Sequence, residues 1–278
     1  MSGQAAPTSE ETNRFYELTN QVLLDIWGED FHHGYWPSEE DQSTIPEATD
    51  RLTRLLIDKT DFEHATTMLD IGCGIGTPAF RVAGVADVRI VGVSNNQEQL
   101  DEANRKAAEK GLAERVRFEY ADAIDLPYPR DAFDVVWVFE AIMHMDRARL
   151  LREALRVLRP GGQLIVTDHL RTGPMSEADD ELVRHHMEAM HAGPVLDADE
   201  YRALVRESGL ELTELLDVSE HTQQTARRVI ATVDRRFDEL VARYGEEVIP
   251  VLKVFNSPVA YVRELGYLVA VARKPVSG

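Results

Sequence analysis

The motif LDIGCGIGTPA places three glycines and an acid where a predicted strand turns into a helix. A dinucleotide-binding loop has the spacing G-x-G-x-x-G and seats a pyrophosphate at the helix N-terminus. Here the spacing is G-x-G-x-G, and Thr77 stands where the third glycine would be. The acid, Asp70, would repel phosphate and favours a ligand with a cationic amino group. The motif therefore predicts a cofactor loop unlike a nicotinamide site, and the chain has no P-loop motif.

The elements around this motif alternate between strand and helix. Apolar runs such as VRIVGVS, FDVVWVFE and GQLIVTDHL predict strands, and NQEQLDEANRKAAEKGL predicts a helix between two of them. Strands with nearly continuous apolar runs are typical of a parallel sheet that is covered on both faces. The pattern predicts an α/β fold with a doubly wound sheet, which binds ligands at the carboxyl edge of its strands.

Further helices are predicted on both sides of this core. Residues 11–27 are amphipathic, and a second helix begins after Thr44, whose side chain forms a capping box with Glu47. Near the C-terminus, residues 220–257 favour helix, and ELGYLVAVARKP predicts a final strand.

The composition excludes several classes of partner. The chain has 30 basic and 49 acidic residues, and its net charge is −19. Such a surface repels nucleic-acid phosphates and anionic lipid headgroups. The single cysteine, Cys73, fits a reducing compartment, and neither a signal peptide nor a membrane span is predicted. We expect a soluble, cytoplasmic protein that binds neither nucleic acid nor membrane.

The motif series resembles the class I methyltransferases that use S-adenosyl-L-methionine. LDIGCGIGTPA is similar to their first motif, and YADAIDLPYPRDAFDVVWVFEAIMHM and REALRVLRPGGQLIVTDHL match later motifs in order and spacing. WGEDFHHGYW and ATDRLT resemble the N-terminal caps of rebeccamycin-type sugar O-methyltransferases and related natural-product enzymes. The resemblance implies a seven-stranded, Rossmann-like sheet with an antiparallel last strand, a helical N-terminal cap and lid insertions.

The resemblance also implies one methyltransferase domain over residues 1–278. Its expected parts are an N-terminal cap at 1–60, a cofactor-binding core at 61–171, and acceptor-pocket inserts with the final strands at 172–278. An exposed N-terminal helix could also exchange between two copies of the chain, so a homo-oligomer is an open possibility.

The resemblance assigns cofactor contacts to residues of the core. Gly72 and Gly74 would pass beneath the methionine part of the cofactor, where a Cβ would strike the ligand. Asp70 would interact with the amino group, directly or through water. Asp122 would accept a hydrogen bond from the exocyclic amine of adenine, and the backbone of Ala123 would contact the ring edge. The product would be S-adenosyl-L-homocysteine.

The ribose contact departs from the family pattern. The family usually has an acid at the end of the second strand, but this chain has VGVSNNQEQL. Ser94 and Gln99 are the expected substitutes, and Asn95 could take the same role. The alternative for Gln99 is a solvated residue of the following helix.

Aromatic residues are concentrated in the N-terminal segment. A sulfonium cation is attracted to aromatic faces, and the resemblance implies that this segment folds over the cofactor as a lid. We therefore expect Tyr16 and Trp36 to contact the cofactor. The alternative is that the aromatic side chains pack the first helix onto the sheet.

Two side chains at the carboxyl edge are candidates for catalysis. Methyl transfer requires alignment, exclusion of water and, for a hydroxyl acceptor, removal of a proton. His144 lies where relatives keep a histidine near the substrate, and a histidine can accept a proton near neutral pH. Asp168 ends the fifth predicted strand and would orient His144. His169 is a weaker candidate, and in relatives that methylate carbon the histidine of the His-Met pair can serve packing instead.

The stretch RHHMEAMHAGP is expected to line an acceptor pocket. Met187 and Met190 would form an adaptable apolar wall, and Phe255 is a candidate from the later helices. His185 and His191 are six residues apart, and no ligand set completes a metal site, so we expect no metal.

These inferences predict an S-adenosyl-L-methionine-dependent methyltransferase. Its acceptor would be a small hydrophobic natural product, methylated at a hydroxyl of a sugar or polycyclic aglycone. The alternatives are C- or N-methylation of a terpenoid or indole-type product, with cyclisation as one outcome, and a non-catalytic S-adenosyl-L-methionine-binding protein. A nicotinamide oxidoreductase is disfavoured by Thr77 and by the missing acid near position 94.

Overall fold

The computed structural model describes Val22 and residues 24–276. Seven strands form a sheet in the order β3-β2-β1-β4-β5-β8-β7, and the two-residue β6 pairs with β5. The first five strands in this order are parallel, whereas β8 runs antiparallel to both neighbours. This confirms the predicted α/β sheet with an antiparallel last strand. The strands are β1 (Thr67–Ile71), β2 (Arg89–Ser94), β3 (Val116–Tyr120), β4 (Phe133–Val138), β5 (Leu158–Arg171), β6 (Leu196–Asp197), β7 (Glu211–Asp217) and β8 (Leu265–Arg273).

Helices cover both faces of the sheet and extend beyond its carboxyl edge. They are α1 (Ile45–Lys59), α2 (Thr77–Val85), α3 (Gln97–Glu109), α4 (Arg147–Val157), α5 (Glu177–Ala189), α6 (Ala198–Ser208), α7 (Ser219–Thr222), α8 (Gln224–Tyr244) and α9 (Ile249–Phe255). Short 3₁₀ turns occupy Ile142–His144, Glu246–Val248 and Pro258–Tyr261. No helix within the described residues combines the length and apolar character that crossing a bilayer demands.

Local sequence signals set the helix ends. Thr44 caps α1, and both bonds of the predicted capping box with Glu47 are present. Asn96 caps α3 by accepting a hydrogen bond from the Gln99 amide, and Gly209 ends α6 in the left-handed conformation. These caps satisfy backbone groups that a helix end otherwise leaves unpaired.

The central strands, such as β1, β4 and β8, are buried on both faces, as their apolar runs predict, whereas the edge strands β3 and β7 are partly exposed. Leu69 and Ile71 of β1 pack into one apolar layer, whereas Met68 of the same strand packs into the other. Neighbouring side chains of a strand point to opposite faces. A strand that is covered on both faces therefore needs apolar residues on both of them. This double layer holds the carboxyl edge of the sheet in place.

A third apolar cluster lies beyond that edge. Trp27 and Ile26 pack there against Val229, Val233 and Leu252 of the C-terminal helices. Of the predicted helix over 11–27, Val22 and 24–27 are described and helical, and the other positions lie outside the described residues. The division into cap, core and inserts stays a prediction.

Candidate active site

A cavity of about 370 Å³ lies at the carboxyl edge of the parallel strands. The loop after β1 and the segments after β2, β3 and β4 form its floor and sides, and residues 28–32 cover it. Open α/β sheets bind ligands at this edge. The predicted cofactor residues that line the cavity are Asp70, Gly72, Gly74, Ser94, Asn95, Gln99, Asp122 and Ala123.

Gly72 and Gly74 of the glycine loop differ in what a Cβ would meet at each position. Gly72 and Gly74 both have left-handed backbones, with φ of +76° and +52°. A Cβ on Gly72 would lie 2.3 Å from the Cβ of Ala141, so contact inside the protein already excludes a side chain there. This corrects the expectation that a ligand contact alone requires Gly72. A Cβ on Gly74 would meet no protein atom within 4 Å, because this residue borders the open space of the cavity.

Asp70 presents a buried carboxylate oxygen to the cavity. The residue is 2% exposed, and its Oδ2 has no hydrogen-bond partner among the described residues. Burial raises the pKa of this carboxyl to about 7. A cationic group beside it would offset the desolvation of the charged form. The site is therefore suited to a positively charged part of a ligand.

In the turn after β2, some polar side chains form hydrogen bonds within the turn and others face the cavity. The Oγ of Ser94 accepts a hydrogen bond from the Asn96 amide at 3.1 Å. Asn96 was not predicted, but it lines the cavity, and its buried Nδ2 has no partner in the described part of the chain. Asn95 and Gln99 also face the cavity.

Asp122 lies at the rim of the cavity and is exposed. Its Oδ1 accepts a hydrogen bond from the Ile124 amide at 3.1 Å, which shapes the turn after β3. Ala123 is buried and adds backbone to the cavity wall. The turn role and a ligand contact are compatible, because a carboxylate has two oxygens.

The cover over this cavity is held by charged contacts. Lys106 lies 3.0 Å from a carboxylate oxygen of Glu29, and Arg81 donates to Asp30 at 2.5 Å. The hydroxyl of Thr77 donates to the Glu29 carbonyl at 3.0 Å. The cover is thus tied to the glycine loop's own helix and to α3.

The two predicted aromatic contacts have different outcomes. Trp36 is fully buried and lines neither cavity described here; its Nε1 donates to the Ser43 carbonyl, and Arg228 lies over its ring. The expectation that Trp36 contacts the cofactor is therefore wrong, because the loop turns this ring into the core. Tyr16 lies outside the described residues. Aromatic rings in the cavity wall come from Phe31 and Phe139.

A second cavity of about 140 Å³ adjoins the first. The two share a wall formed by Phe31, His32, Glu140 and His144. Apolar side chains dominate the rest of its lining, and the predicted Met187, Met190 and Phe255 are among them. The others include Trp27, Met143, Val229, Val259, Val262 and Leu265.

Within the shared wall, the carboxylate of Glu140 has several hydrogen-bond partners. Its Oε1 accepts hydrogen bonds from the His33 amide and the Tyr267 hydroxyl, both at 2.6 Å, and lies 3.0 Å from His33 Nδ1. Burial raises the carboxyl pKa, but His33, His32 and Tyr267 outweigh it and lower the pKa of Glu140 to about 2. Its backbone φ of +49° is strained for a side-chain-bearing residue, and Thr167 accepts from its amide at 2.9 Å. The shared wall thus holds a fixed negative charge.

His144 also lies in the shared wall, at the end of a 3₁₀ turn. Its Nδ1 is 3.1 Å from the His191 carbonyl oxygen. Because a carbonyl only accepts, this contact places the ring proton on Nδ1. Burial lowers the pKa of His144 to about 4.

Asp168 does not have the predicted partner. It is fully buried, and its carboxylate accepts from Arg147 Nε at 2.8 Å and from Arg147 Nη2 at 3.3 Å. The His169 amide donates to the same carboxylate at 2.8 Å. The expected pair with His144 is wrong, because α4 brings Arg147 to this carboxylate first.

The other histidines of the region are separated. His169 and His186 line the second cavity, and burial lowers their pKa to about 3 and about 4. His185 is exposed. Within the described residues, no group of three or more His, Cys, Asp or Glu side chains is arranged to hold a metal ion.

Comparison with known proteins identifies the family. The family model described as a methyltransferase domain matches residues 69–166. The 27-O-demethylrifamycin SV methyltransferase of Amycolatopsis mediterranei (strain S699) is 39% identical over 276 residues, which cover 97% of this chain and 98% of that protein. The chain belongs to the class I methyltransferases.

Solved structures agree with this assignment of the methyltransferase. The [4+2]-cyclase SpnF is 33% identical, with a TM-score of 0.85 and coverage of 99% of this chain and 100% of that chain. A geranyl diphosphate C-methyltransferase from Streptomyces coelicolor A3(2), solved with S-adenosyl-L-homocysteine, has a TM-score of 0.74. It is 19% identical, covers 98% of this chain and 100% of its own, and shows the fold alone. The methyltransferase uses S-adenosyl-L-methionine as its methyl donor.

The first cavity fits this cofactor. The buried oxygen of Asp70, which no side chain or backbone group of the described residues pairs with, suits the cationic amino group. The open space beside Gly74 admits a ligand close to the backbone. The volume of about 370 Å³ is in the range of small-molecule sites.

Three mutually bonded residues in the lining of the methyltransferase's second cavity, Glu140, His33 and Tyr267, were not predicted from the sequence. Glu140 lies two residues after the end of β4, and Asp70 lies one residue before the end of β1. An acid beside the carboxyl end of an apolar strand is a signal that could have identified Glu140. His33 and Tyr267 carry no comparable signal, because they meet Glu140 only through the folded chain.

Proposed function

We propose that this methyltransferase methylates a hydroxyl of a small, hydrophobic natural product, such as a sugar or polycyclic aglycone. The observation that supports this most is the adjoining, mainly apolar cavity, which meets the cofactor cavity at Glu140 and His144. The similarity to an O-demethylrifamycin methyltransferase favours oxygen as the acceptor atom.

In this proposal the first cavity holds the cofactor through residues at the ends of β1, β2 and β3. Asp70 holds the amino group, Asn95 and Gln99 lie near the ribose, and Asp122 with the Ala123 backbone contacts adenine. When bound, S-adenosyl-L-methionine supplies an activated methyl group, and its sulfur keeps the electron pair of the broken bond. The protein's own work is to align the acceptor, exclude water and accept a proton.

The second cavity favours a neutral acceptor. His169 and His186 are uncharged near pH 7, since burial lowers the pKa of both. The charge of Glu140 is already satisfied by His33 and Tyr267. A volume of about 140 Å³ accommodates the part of an acceptor that carries the hydroxyl, and the remainder would extend outside.

Other expectations remain part of this proposal. The net charge of −19 supports the absence of a nucleic-acid partner. A cytoplasmic location and self-association through the N-terminal helix stay predictions.

A second candidate function is ring closure in the same cavity. The 33% identity to a protein described as a [4+2]-cyclase favours it. Cyclisation would conserve the mass of the acceptor, whereas methylation replaces one hydrogen by a methyl group. C- and N-methylation are distinguished from O-methylation by the acceptor atom to which the transferred methyl carbon is bonded.

The test uses the full chain with S-adenosyl-L-methionine labelled with ¹³C in the methyl group. We would use 27-O-demethylrifamycin SV as the first acceptor probe, together with a set of hydroxylated glycosides and polycyclic aglycones. Mass spectrometry and ¹³C NMR should show one labelled methyl bonded to oxygen. A labelled methyl on carbon or nitrogen, or a product of unchanged mass with a new ring, would overturn the proposal.

A further inference from the structure

We propose that His33, positioned by Glu140, is the general base of the methyl transfer. This inference rests on the proposed transfer to a hydroxyl. His33 lies in the wall of the second cavity, and its Nδ1 is 3.0 Å from the Glu140 carboxylate. Glu140 itself lines both cavities, so the pair lies where the methyl donor and the acceptor would meet.

The contact at Nδ1 determines which ring nitrogen is the base. A carboxylate only accepts, so the proton of the neutral ring resides on Nδ1 and the lone pair on Nε2. No partner of Nε2 is found among the residues that the structure describes, and 21% of the side chain is accessible. His33 can therefore accept a proton from the acceptor hydroxyl at Nε2.

His33 differs from His144 in the charge behind the ring. His144 has the His191 carbonyl at Nδ1, whereas His33 has a carboxylate at the same atom. A carboxylate stabilises the imidazolium that proton transfer creates, as in a catalytic triad. Burial lowers the pKa of His144 to about 4 although Glu140 raises it, and this makes His144 the weaker base.

Other titratable groups surround His33. Glu140 comes from the end of β4, His169 from β5, Tyr267 from β8, His186 from α5, and His32 precedes it in the same loop. The Glu140 carboxylate is the anion in contact with the His33 ring. The other histidines are neutral near pH 7, because burial lowers the pKa of each, so none of them adds a positive charge beside the ring.

The acceptor oxygen forms a bond to the methyl carbon while the carbon–sulfur bond breaks with its electron pair on sulfur. The hydroxyl proton passes to Nε2 of His33 and then to solvent. No oxidant, reductant or second co-reactant is required.

The kinetic test replaces His33 and a matched histidine. We expect His33→Gln to lower kcat by about 100-fold or more, in the range of general-base effects, with little change in cofactor affinity. His64 has the same 3.0 Å contact between Nδ1 and a carboxylate, Asp61, but is 77% exposed. His64→Gln should leave kcat unchanged. A normal kcat for His33→Gln together with a 100-fold loss for His144→Gln would overturn the proposal.

The positioning role of Glu140 is tested by the pH profile. Glu140→Gln should lower kcat and move the acid limb of the rate profile to lower pH, because the anion that favours a protonated ring is gone. Tyr267→Phe removes the other side-chain bond to Glu140 and should leave the limb in place. A limb that stays at the same pH in Glu140→Gln would contradict the role.

An acceptor-free measurement keeps the two proposals separable. In the complex with S-adenosyl-L-homocysteine, ¹⁵N-histidine NMR should show a protonated, hydrogen-bonded Nδ1 that is lost in His33→Gln and shifted in Glu140→Gln. A His33 ring protonated at Nε2 alone would overturn the base assignment, even if wild-type protein methylates the probe. Failure of wild type to methylate any acceptor, with this signal present, would instead count against the proposed function.

Discussion

The first cavity, which we propose as the cofactor cavity, and the second, which we propose as the acceptor cavity, meet at Glu140 but are built in different ways. The cofactor cavity takes its residues from short segments that directly follow the parallel strands. The acceptor cavity joins distant parts of the chain: His33 and Tyr267 lie 107 and 127 residues from Glu140. Strand order alone therefore places the first site, whereas the second depends on how the outer helices and loops pack.

This difference also separates binding from chemistry. The cofactor cavity contains the buried Oδ2 of Asp70, which has no hydrogen-bond partner among the described residues and suits a cationic group. The two carboxylates in this second region already have partners: Glu140 accepts hydrogen bonds from His33 and Tyr267, and Asp168 pairs with Arg147. Substitutions in the two regions should therefore have separable effects.

The largest expected effect concerns the ion pair beneath the acceptor cavity. Burial raises the pKa of Asp168, and Arg147 offsets part of that burial cost. Arg147→Met removes this partner from a buried carboxyl, so the free energy of unfolding should fall by about 3–5 kcal/mol. Arg147→Met combined with Asp168→Leu should recover most of that loss. Urea unfolding measures both. If the double variant is stable but has lost methyl transfer, Asp168 takes part in the reaction, and the proposed division between structural and catalytic groups is contradicted.

Next in size is the loss of the cofactor's charge partner. Asp70→Asn should weaken binding of S-adenosyl-L-homocysteine by roughly 30- to 1000-fold, corresponding to about 2–4 kcal/mol for a buried charge pair. Calorimetry of the same ligand with His33→Gln should give the wild-type affinity. Equal losses in the two variants would mean that the cavities are not separate binding regions.

A smaller effect follows from the pKa of Asp70. In the ligand-free protein this pKa is raised to about 7 by burial, and a bound ammonium would lower it. Below pH 7 binding must therefore release a proton from Asp70, so the affinity should fall about tenfold for each unit by which the pH is lowered. Above pH 7 the affinity should be constant. Calorimetry at pH 6 in two buffers of different ionisation enthalpy measures this proton. Affinity that is independent of pH between 5 and 7 would contradict the assignment of Asp70.

The smallest effect is expected at the apolar wall. Met187→Ala removes part of the surface that faces the acceptor and should raise the acceptor KM by about fivefold, or about 1 kcal/mol. Cofactor affinity should not change. Val85 is 69% exposed and far from both linings, so Val85→Ala is the control. A shift in cofactor affinity with an unchanged acceptor KM would place Met187 in the wrong cavity.

The sequence predicted the sheet and the cofactor edge because their signals are local. Apolar runs, the glycine spacing and the Thr44 capping box each lie within a few residues, and the carboxyl edge follows from the parallel topology. The orientation of Trp36 and the partner of Asp168 depend on tertiary packing. Periodicity gave no information on either, nor on the contact between His33 and Glu140.

The most direct test is a crystal structure of the full chain with S-adenosyl-L-homocysteine. We expect the amino group of the ligand within hydrogen-bond distance of Asp70, and its sulfur directed toward the wall formed by Phe31, His32, Glu140 and His144. A ligand bound elsewhere, or a sulfur directed away from the second cavity, would contradict methyl transfer between these two cavities.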